Sequence, residues 1–358
     1  MRISVLGGGH GCYAAAADLS DQGHEVTLWR RDAAALIEVI THGSITLKDA
    51  RGRRDVPISA ATDDIGTAVR GAELLLVPLP AFAQVDIARA IAPHVRDGQV
   101  IFLPPGTFGS YVMAKALHDA GQGANVSFAE TGTLPYLARK HGPREVAITT
   151  RASDLPTGVF PSRNRDAAFE VLRKAYPSVQ PVEDALSGAL MNAGPIIHPP
   201  LIVMNAGPLE HFPEWDIHNE GTQPAIRRVT DALDRERIAV REALGYAPPH
   251  FPLSDHYEKD EWMYSNTRKA LVDSGDWREK IDLCTHRYMR EDLELGLSFL
   301  VSLAQWAGVA VPIAQGLLAM GSAICGENFR SSPRTWESLG LAGLDRAAIR
   351  VLLAEGIS

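Results

Sequence analysis

Hydrophobic and polar positions at the start of the chain follow the pattern of a strand, a glycine-containing turn, a helix and a second strand. A mostly apolar run at residues 3–6 precedes Gly7, Gly9 and Gly11, an alanine-rich stretch follows, and residues 25–29 are again mostly apolar. Short apolar runs bounded by turn residues indicate buried strands. This order predicts a βαβ unit at the beginning of an α/β domain.

The first half of the chain continues to alternate between strand-like and helix-like patterns. The predicted strands lie at residues 45–47, 56–58, 72–80, 99–103, 126–130, 145–150 and 179–182, and the predicted helices at 83–91 and 169–175. Residues 154–158, which include a proline and a glycine, are expected to form a connector.

Helical periodicity dominates from about residue 185 onward. Helices are predicted at 222–244, 292–307, 312–324 and 334–353, the first of them amphipathic and ended by Gly245. The sequence therefore predicts an α/β Rossmann-type N-terminal domain over residues 1–184 and an all-α C-terminal domain over residues 185–358. The reaction site is expected in the cleft between the two domains.

Composition and charge restrict the class of protein. The chain has 358 residues, 46% of them hydrophobic, and its 35 basic and 43 acidic residues give a net charge of −8. This balance argues against a general nucleic-acid binder, although it leaves room for a local basic pocket. The chain opens directly on a strand and has no apolar run long enough to span a bilayer, so we expect a cytoplasmic protein without membrane association.

The three cysteines, Cys12, Cys284 and Cys325, are far apart in the sequence. Their number and spacing indicate neither a disulfide framework nor a metal site. Cys12 occupies the third glycine position of the N-terminal motif, where we expect a small packing residue. The alternative is a reactive thiol, because a helix N-terminus lowers the pKa of a thiol.

The glycine turn is the candidate cofactor site. Gly7 permits a tight turn, Gly9 lets the backbone approach a pyrophosphate, and the helix that begins near His10 and Gly11 presents free N–H groups to the anion. The alternative is an ordinary βα turn. Ligands in open α/β sheets lie beyond the carboxyl ends of strands, which makes Pro80 and the segment at 104–108 further candidate cofactor contacts.

Residues at the end of the second strand are expected to determine whether NAD or NADP binds. Arg30 and Arg31 stand where arginine can bind the 2′-phosphate of NADP, and Asp32 follows them. The two arginines favour NADP. If both are surface charges, Asp32 serves NAD instead, so NAD stays open.

Two segments of the second half contain candidate catalytic residues. His198 lies in an apolar, proline-rich stretch at 191–200, and its orientation is expected to be restrained by the proline that follows it. Arg287 and Asp292 lie at the start of the most apolar helix. Histidine transfers protons near neutral pH, arginine binds carboxylates through two hydrogen bonds, and an aspartate can orient a histidine. The alternative interpretations are a packed core histidine and acidic residues that favour the helix dipole.

These segments together resemble the octopine/nopaline dehydrogenase family. The resemblance covers nearly the whole chain through the glycine turn, residues 26–29, 130–136, 192–199 and 287–296. It implies that His198 is catalytic, that Asp292 is its partner, and that Arg287 binds a substrate carboxylate. Asn192 and Thr133 are further candidate substrate contacts, the loop around Thr133 being otherwise a simple strand-exit turn. Cys12 departs from the family pattern, as does His218, where relatives often have tyrosine.

The resemblance implies a reductive condensation of an amino acid with a 2-oxo acid such as pyruvate. One alternative is a glycerol-3-phosphate or ketopantoate type of dehydrogenase. Those enzymes use catalytic lysines in the helical domain, and residues 187–200 contain none. The other alternative is a dinucleotide sensor without turnover. The C-terminal helices could pack within one chain or build a homodimer interface.

Overall fold

The computed structural model describes residues 1–255, 263–264 and 278–357. Two compact units are formed by these residues, one comprising Met1–Ala189 with Val351–Ser358 and the other Leu190–Arg350. The last residues of the chain thus group with the first unit, although sequence analysis assigned them to the helical half. The predicted domain boundary after residue 184 stays a prediction.

The first unit is built on an eight-stranded sheet with the order β12-β11-β8-β7-β6-β1-β2-β5. Its strands are β1 (Arg2–Leu6), β2 (Glu25–Trp29), β5 (Ala60–Thr62), β6 (Leu74–Leu76), β7 (Val100–Leu103), β8 (Ser127–Thr131), β11 (Leu155–Phe160) and β12 (Val179–Pro181). All neighbours pair in parallel except β8 and β11, which are antiparallel. A mostly parallel sheet with helices between its strands is the architecture that the alternating pattern predicts.

A second, four-stranded sheet of the first unit has the order β4-β3-β10-β9. It consists of β3 (Ser44–Asp49), β4 (Gly52–Pro57), β9 (Tyr136–Lys140) and β10 (Glu145–Arg151). The helices of this unit are α1 (His10–Asp21), α2 (Ile37–His42), α3 (Ile65–Arg70), α4 (Gln84–Ile91), α5 (Gly109–Asp119), α6 (Arg165–Ala175) and α7 (Ala185–Ala189). Short 3-10 helices lie at Ala34–Leu36, Ala81–Ala83 and Ser162–Asn164.

The second unit is largely helical. Its elements are α8 (Gly194–Met204), α9 (Ala206–His211), α10 (Pro224–Leu244), a π-helix (Tyr288–Leu297), α11 (Ser298–Ala307), α12 (Pro312–Cys325), a 3-10 helix (Phe329–Ser331) and the start of α13 (Arg346–Glu355). Two-residue strands, β13 (Trp215–Asp216) and β14 (Arg278–Glu279), pair antiparallel. Among the described residues, no helix is long and apolar enough to cross a membrane.

The predicted fold class, a Rossmann-type first half and a helical second half, is confirmed by this architecture. The amphipathic helix that was predicted to end at Gly245 is α10, and Gly245 adopts the left-handed conformation with φ +88°. Glycine ends helices in this way because it has no Cβ to oppose a positive φ.

Three details of the predicted elements are wrong. Residues 154–158 are not a connector, because Leu155–Phe160 is a buried strand of the main sheet. The helix predicted at 334–353 is confined to Arg346–Glu355, and the first part of the helix predicted at 292–307 is π-helical. Pro156 and Gly158 are uncommon inside strands, so the local sequence did not indicate β11, whose pairing partners lie elsewhere in the sequence.

Candidate active site

The glycine turn joins β1 to α1 in the first unit. Gly7 has φ +129°, a conformation that side chains rarely adopt, and an added Cβ would lie 2.4 Å from Leu79 Cδ2. A Cβ added at Gly9, by contrast, would meet nothing within 4 Å. The space above Gly9 is therefore kept open by the absence of a side chain, at the N-terminus of a twelve-residue helix. This combination fits a dinucleotide pyrophosphate.

Cys12 packs beneath this turn. Its side chain is fully buried, and its Sγ lies 3.8 Å from the carbonyl oxygens of both Leu6 and Pro78. Burial raises the pKa of the Cys12 thiol to about 12, although the backbone N–H groups at the helix start act in the opposite direction. The burial of the thiol and its raised pKa favour the packing role that the sequence predicts for Cys12.

Three other residues that the sequence predicts as ligand contacts lie near the turn. Pro80 ends the segment whose Pro78 and Leu79 pack against Gly11 and Gly7. His10 begins α1, and its Nδ1 accepts a hydrogen bond of 2.8 Å from the backbone N–H of Lys140. Thr133 lies in the loop between β8 and β9, next to Leu134, which packs against Gly11. No pattern in the sequence predicts β9 or marks Lys140.

Arg30 and Arg31 follow β2 but have different surroundings. The side chain of Arg30 lies over Gly8, because a Cβ added there would be 2.7 Å from its Nε. Arg30 is half-buried, and its Nη2 lies 3.9 Å from Asp32 Oδ2. Arg31 and Asp32 are both exposed. The structure thus brings Arg30 alone to the glycine turn.

His198 and Asp292 meet in the second unit, 94 residues apart in the sequence. His198 lies in α8 and Asp292 in the π-helix, and His198 Nδ1 is 2.7 Å from Asp292 Oδ2. The two side chains are only 15% and 9% exposed. A carboxylate at this distance accepts a hydrogen bond from Nδ1–H and leaves Nε2 as the ring nitrogen that can accept a proton.

Two glycines permit the two helices to approach closely. A Cβ added at Gly194 would lie 2.1 Å from Asp292 Oδ1, and a Cβ added at Gly296 would lie 2.3 Å from Pro195 Cγ. Any side chain at either position would push α8 and the π-helix apart. These glycines therefore help to set the distance between the histidine and the aspartate.

The proline-rich segment around His198 is helical, although a proline generally disfavours the helical conformation in the residue before it. Pro195 stands in the first turn of α8, where its missing N–H costs nothing, whereas Pro199 and Pro200 lie inside the helix. These two prolines cannot donate the hydrogen bonds that α-helical geometry directs to the carbonyls four residues earlier. Local preferences are overridden here by packing, since the apolar side chains of α8 are mostly buried.

Tyr288 and His218 complete the surroundings of His198, and no pattern in the sequence marks Tyr288. The rings of His198 and Tyr288 are stacked, with centroids 3.7 Å apart and an interplanar angle of 11°. His218 Nε2 lies 2.7 Å from the Tyr288 hydroxyl oxygen. Tyr288 is fully buried and holds the imidazole in one plane. The signal available in the sequence was the expected departure at His218 from the pattern that the resemblance implies.

Burial and a nearby cation control the protonation of the pair. Burial, together with the positive charge of Arg287, holds the pKa of His198 well below its usual range. Burial raises the pKa of Asp292, and Arg287 acts in the opposite direction. The imidazole is consequently neutral near pH 7 and is able to accept a proton.

Arg287 directly precedes the π-helix and is exposed. Its guanidinium carbon lies 5.1 Å from the centroid of the Tyr288 ring. Among the described residues it forms no ion pair with a carboxylate, so its charge is available to a ligand beside His198. π-helical segments frequently occur at functional sites.

Asn192 has an observed role in the structure of α8. Its Oδ1 accepts a hydrogen bond of 3.0 Å from the backbone N–H of Gly194, and the residue is buried. Asn192 thereby fixes the start of the helix that positions His198. Its predicted contact with substrate stays a prediction. No group of three or more His, Cys, Asp or Glu side chains within the described part of the chain is placed to hold a metal ion.

Comparisons with protein families match the two halves of the chain separately. Residues 181–325 match the family described as NAD/NADP octopine/nopaline dehydrogenase, alpha-helical domain. Residues 3–148 match the family described as Ketopantoate reductase PanE/ApbA.

Individual relatives match over nearly the full length. An opine dehydrogenase from Arthrobacter sp. (strain 1C) is 30% identical over 352 residues, which cover 97% of each chain. A solved structure of octopine dehydrogenase in complex with NADH and agmatine has a TM-score of 0.75 at 19% identity, covering 99% of this chain and 98% of that one. Yersinopine dehydrogenase with bound NADP+ has a TM-score of 0.65 at 16% identity, with the same coverage. At these identities the solved structures establish the likeness of the fold.

Proposed function

Because the chain belongs to the opine dehydrogenase family, we propose that it condenses an amino acid with a small 2-oxo acid and reduces the imine formed between them. It is an NAD(P)-dependent oxidoreductase that acts on CH–NH bonds. The product is a secondary amine with two carboxylates. The 2-oxo acid is of pyruvate size, and both substrates carry the carboxylate that an arginine binds.

The observation that carries this proposal is the buried contact of 2.7 Å between His198 and Asp292, with the exposed Arg287 beside it. Imine formation needs proton transfer in both directions, since an ammonium group must lose a proton and a hydroxyl group must leave as water. A neutral histidine that is paired with a carboxylate is suited to both steps.

Arg287 anchors a substrate carboxylate and thereby fixes the position of the reacting carbon. Nε2 of His198 accepts a proton from the amino group, which makes the nitrogen nucleophilic. The resulting imidazolium is stabilised by Asp292 and donates the proton to the departing hydroxyl. The stacked ring of Tyr288 keeps the imidazole in the orientation that both transfers require.

The glycine turn of the first unit fits the nicotinamide dinucleotide. Its pyrophosphate would be held at the open backbone of Gly9 and the N-terminus of α1, and Gly7 provides the tight turn. When it is bound, the reduced nicotinamide would supply the hydride that reduces the imine. The half-buried Arg30 over Gly8 supports a preference for NADPH.

The match of the first half to ketopantoate reductases is compatible with this proposal. That match ends at residue 148, within the unit that contains the glycine turn, and so it concerns the cofactor-binding part. The His198–Asp292 pair lies in the region that matches the opine dehydrogenases. A dinucleotide sensor would have no need for a desolvated proton-transfer pair.

The test is a matrix of amino acids and 2-oxo acids in which oxidation of NADPH and NADH is followed by absorbance. We expect oxidation only when both substrates are present, and faster oxidation of NADPH. Oxidation with the oxo acid alone, unaffected by any amine, would assign the enzyme to the class that reduces ketones. Absence of turnover with every pair would favour the sensor.

A further inference from the structure

The side chains of Tyr13, Arg30 and Lys140 lie together beside the glycine turn. We call these three residues the cationic cluster. Lys140 Nζ lies 3.7 Å from the centroid of the Tyr13 ring. Arg30 lies near the Tyr13 hydroxyl, and its positive charge opposes the rise in the Tyr13 pKa that burial causes. It also covers Gly8, where an added Cβ would lie 2.9 Å from its Cζ. Two cations therefore lie beside one aromatic ring, Lys140 over its face and Arg30 near its hydroxyl.

The backbone fixes Lys140 in this place. Lys140 is the last residue of β9, and its N–H donates to Nδ1 of His10, the first residue of α1. Arg30 follows β2, whose neighbour β1 leads into the turn. The two cations thus come from strands of different sheets and meet at the start of the same helix.

This arrangement has an electrostatic cost. Lys140 is half-buried and forms no ion pair with a carboxylate among the described residues, and the acidic neighbour of Arg30, Asp32, is exposed and 3.9 Å away. Burial and the charge of Arg30 lower the pKa of Lys140. A group with two negative charges would offset this repulsion, and a phosphate monoester carries nearly two at pH 7.

We propose that Arg30 and Lys140 together bind the 2′-phosphate of NADPH, with Lys140 rather than the exposed Arg31 as the second cation. This inference rests on the proposed use of a nicotinamide dinucleotide and names the residues that select its phosphorylated form. The glycine turn places the adenosine end of such a cofactor near the end of β2, where the cationic cluster lies. Lys140 then acts as a point charge on the phosphate, and Arg30 as the planar donor.

The experiment measures Kd for adenosine 2′,5′-bisphosphate and adenosine 5′-monophosphate by calorimetry, and Kd for NADPH and NADH by fluorescence. Lys140→Met should weaken binding of the bisphosphate and of NADPH by roughly 10- to 100-fold, the range for a charge-assisted hydrogen bond. Binding of the monophosphate and of NADH should change by less than about twofold. Lys140→Arg should restore most of the lost affinity. Lys48→Met, at an exposed lysine of the same unit, is the matched control and should change nothing.

Two results would overturn the inference. One is a Lys140→Met protein that binds the bisphosphate as tightly as the unmodified protein. The other is an equal loss for all four nucleotides in both Lys140→Met and Lys140→Arg, since this would mean that Lys140 only supports the turn. If Lys140→Met fails to fold, Lys140→Gln replaces it in the same comparison.

The outcome is separable from that of the proposed function. Formation of an opine without any preference for the bisphosphate would overturn the phosphate site and leave the proposed reaction intact. A preference that Lys140→Met abolishes, in a protein that forms no opine, would support the phosphate site and contradict the reaction.

Discussion

The glycine turn of the first unit and the His198–Asp292 pair of the second unit are built in opposite ways. The turn is made of backbone atoms. Its space for a ligand exists because glycine has no side chain, as the open space at Gly9 shows. The pair is made of two side chains on different helices, brought together at 2.7 Å across 94 residues of sequence. A local backbone site can be recognised from the order of residues, whereas a contact between distant residues depends on packing.

The largest effect is expected from removing the imidazole of the pair. His198→Ala should lower kcat by about 10²- to 10⁴-fold, the contribution typical of a positioned acid or base, while Kd for NADPH stays unchanged. Steady-state rates and fluorescence titration of the cofactor measure the two quantities. His211→Ala, at an exposed histidine of the same unit, should leave both unchanged. Near-normal turnover by a folded His198→Ala protein would return this histidine to a packing role.

Close approach of the two helices is tested at Gly194. Gly194→Ala places a methyl group only 2.1 Å from Asp292 Oδ1, so Asp292 and α8 must move apart. We expect kcat to fall by about 10²-fold, since displacements near 1 Å can have this effect. Gly207→Ala is the matched control, because a Cβ there meets nothing within 4 Å. Equal rates for the two variants would show that the spacing of α8 and the π-helix is not critical.

A substitution in the glycine turn should weaken cofactor binding. Gly9→Val fills the open space at the helix N-terminus and should raise Kd for both NADPH and NADH by about tenfold or more. Isothermal titration measures the affinity, and Gly123→Val serves as the control at another unobstructed glycine of the first unit. If Gly9→Val bound both cofactors normally, the dinucleotide would have to lie elsewhere.

Arg287 is expected to affect both the binding of carboxylate substrates and the pKa of His198. Arg287→Met should raise the KM of the carboxylate substrates by about tenfold or more, because charge-assisted hydrogen bonds are lost. The circular dichroism spectrum and the melting temperature should not change, since the side chain is exposed. An unaltered KM for both substrates would remove Arg287 from the binding site.

The smallest expected effect is a shift of the pH profile. In opine oxidation the neutral imidazole accepts a proton, so activity is lost as pH falls through the pKa of His198. Burial and Arg287 lower that pKa, which places the acid limb of the kcat profile below the usual value of about 6.5. Arg287→Met removes a positive charge and should move this limb to higher pH. A limb that stays in place would mean that Arg287 does not act on the histidine.

Local signals explain what the sequence could predict. The βαβ unit was predictable because Gly7, Gly9 and the strands on either side follow one another directly. His198, Asp292 and Arg287 were identified through the family resemblance, and their roles stay predictions. The structure adds that these residues lie together and that Arg30, unlike Arg31, lies at the turn.

Other features depend on contacts that no local pattern reports. Pro156 and Gly158 suggested a connector, yet β11 is buried, and Gly158 is required because a Cβ there would lie 1.9 Å from the carbonyl oxygen of Asp184. Tyr288 fits an ordinary helix pattern, and only packing shows that it stacks on His198. Lys140 has no motif and gains its significance from Tyr13 and Arg30.

The most direct test of the proposed reaction is the mass of its product. The protein is incubated with NADPH, pyruvate and an amino acid labelled with ¹⁵N, chosen from the substrate matrix, and the products are analysed by mass spectrometry. The account predicts one labelled secondary amine, whose mass equals the two substrates minus water plus two hydrogens, and no such product from His198→Ala. An unlabelled hydroxy acid as the sole product, formed equally well without the amine, would contradict it.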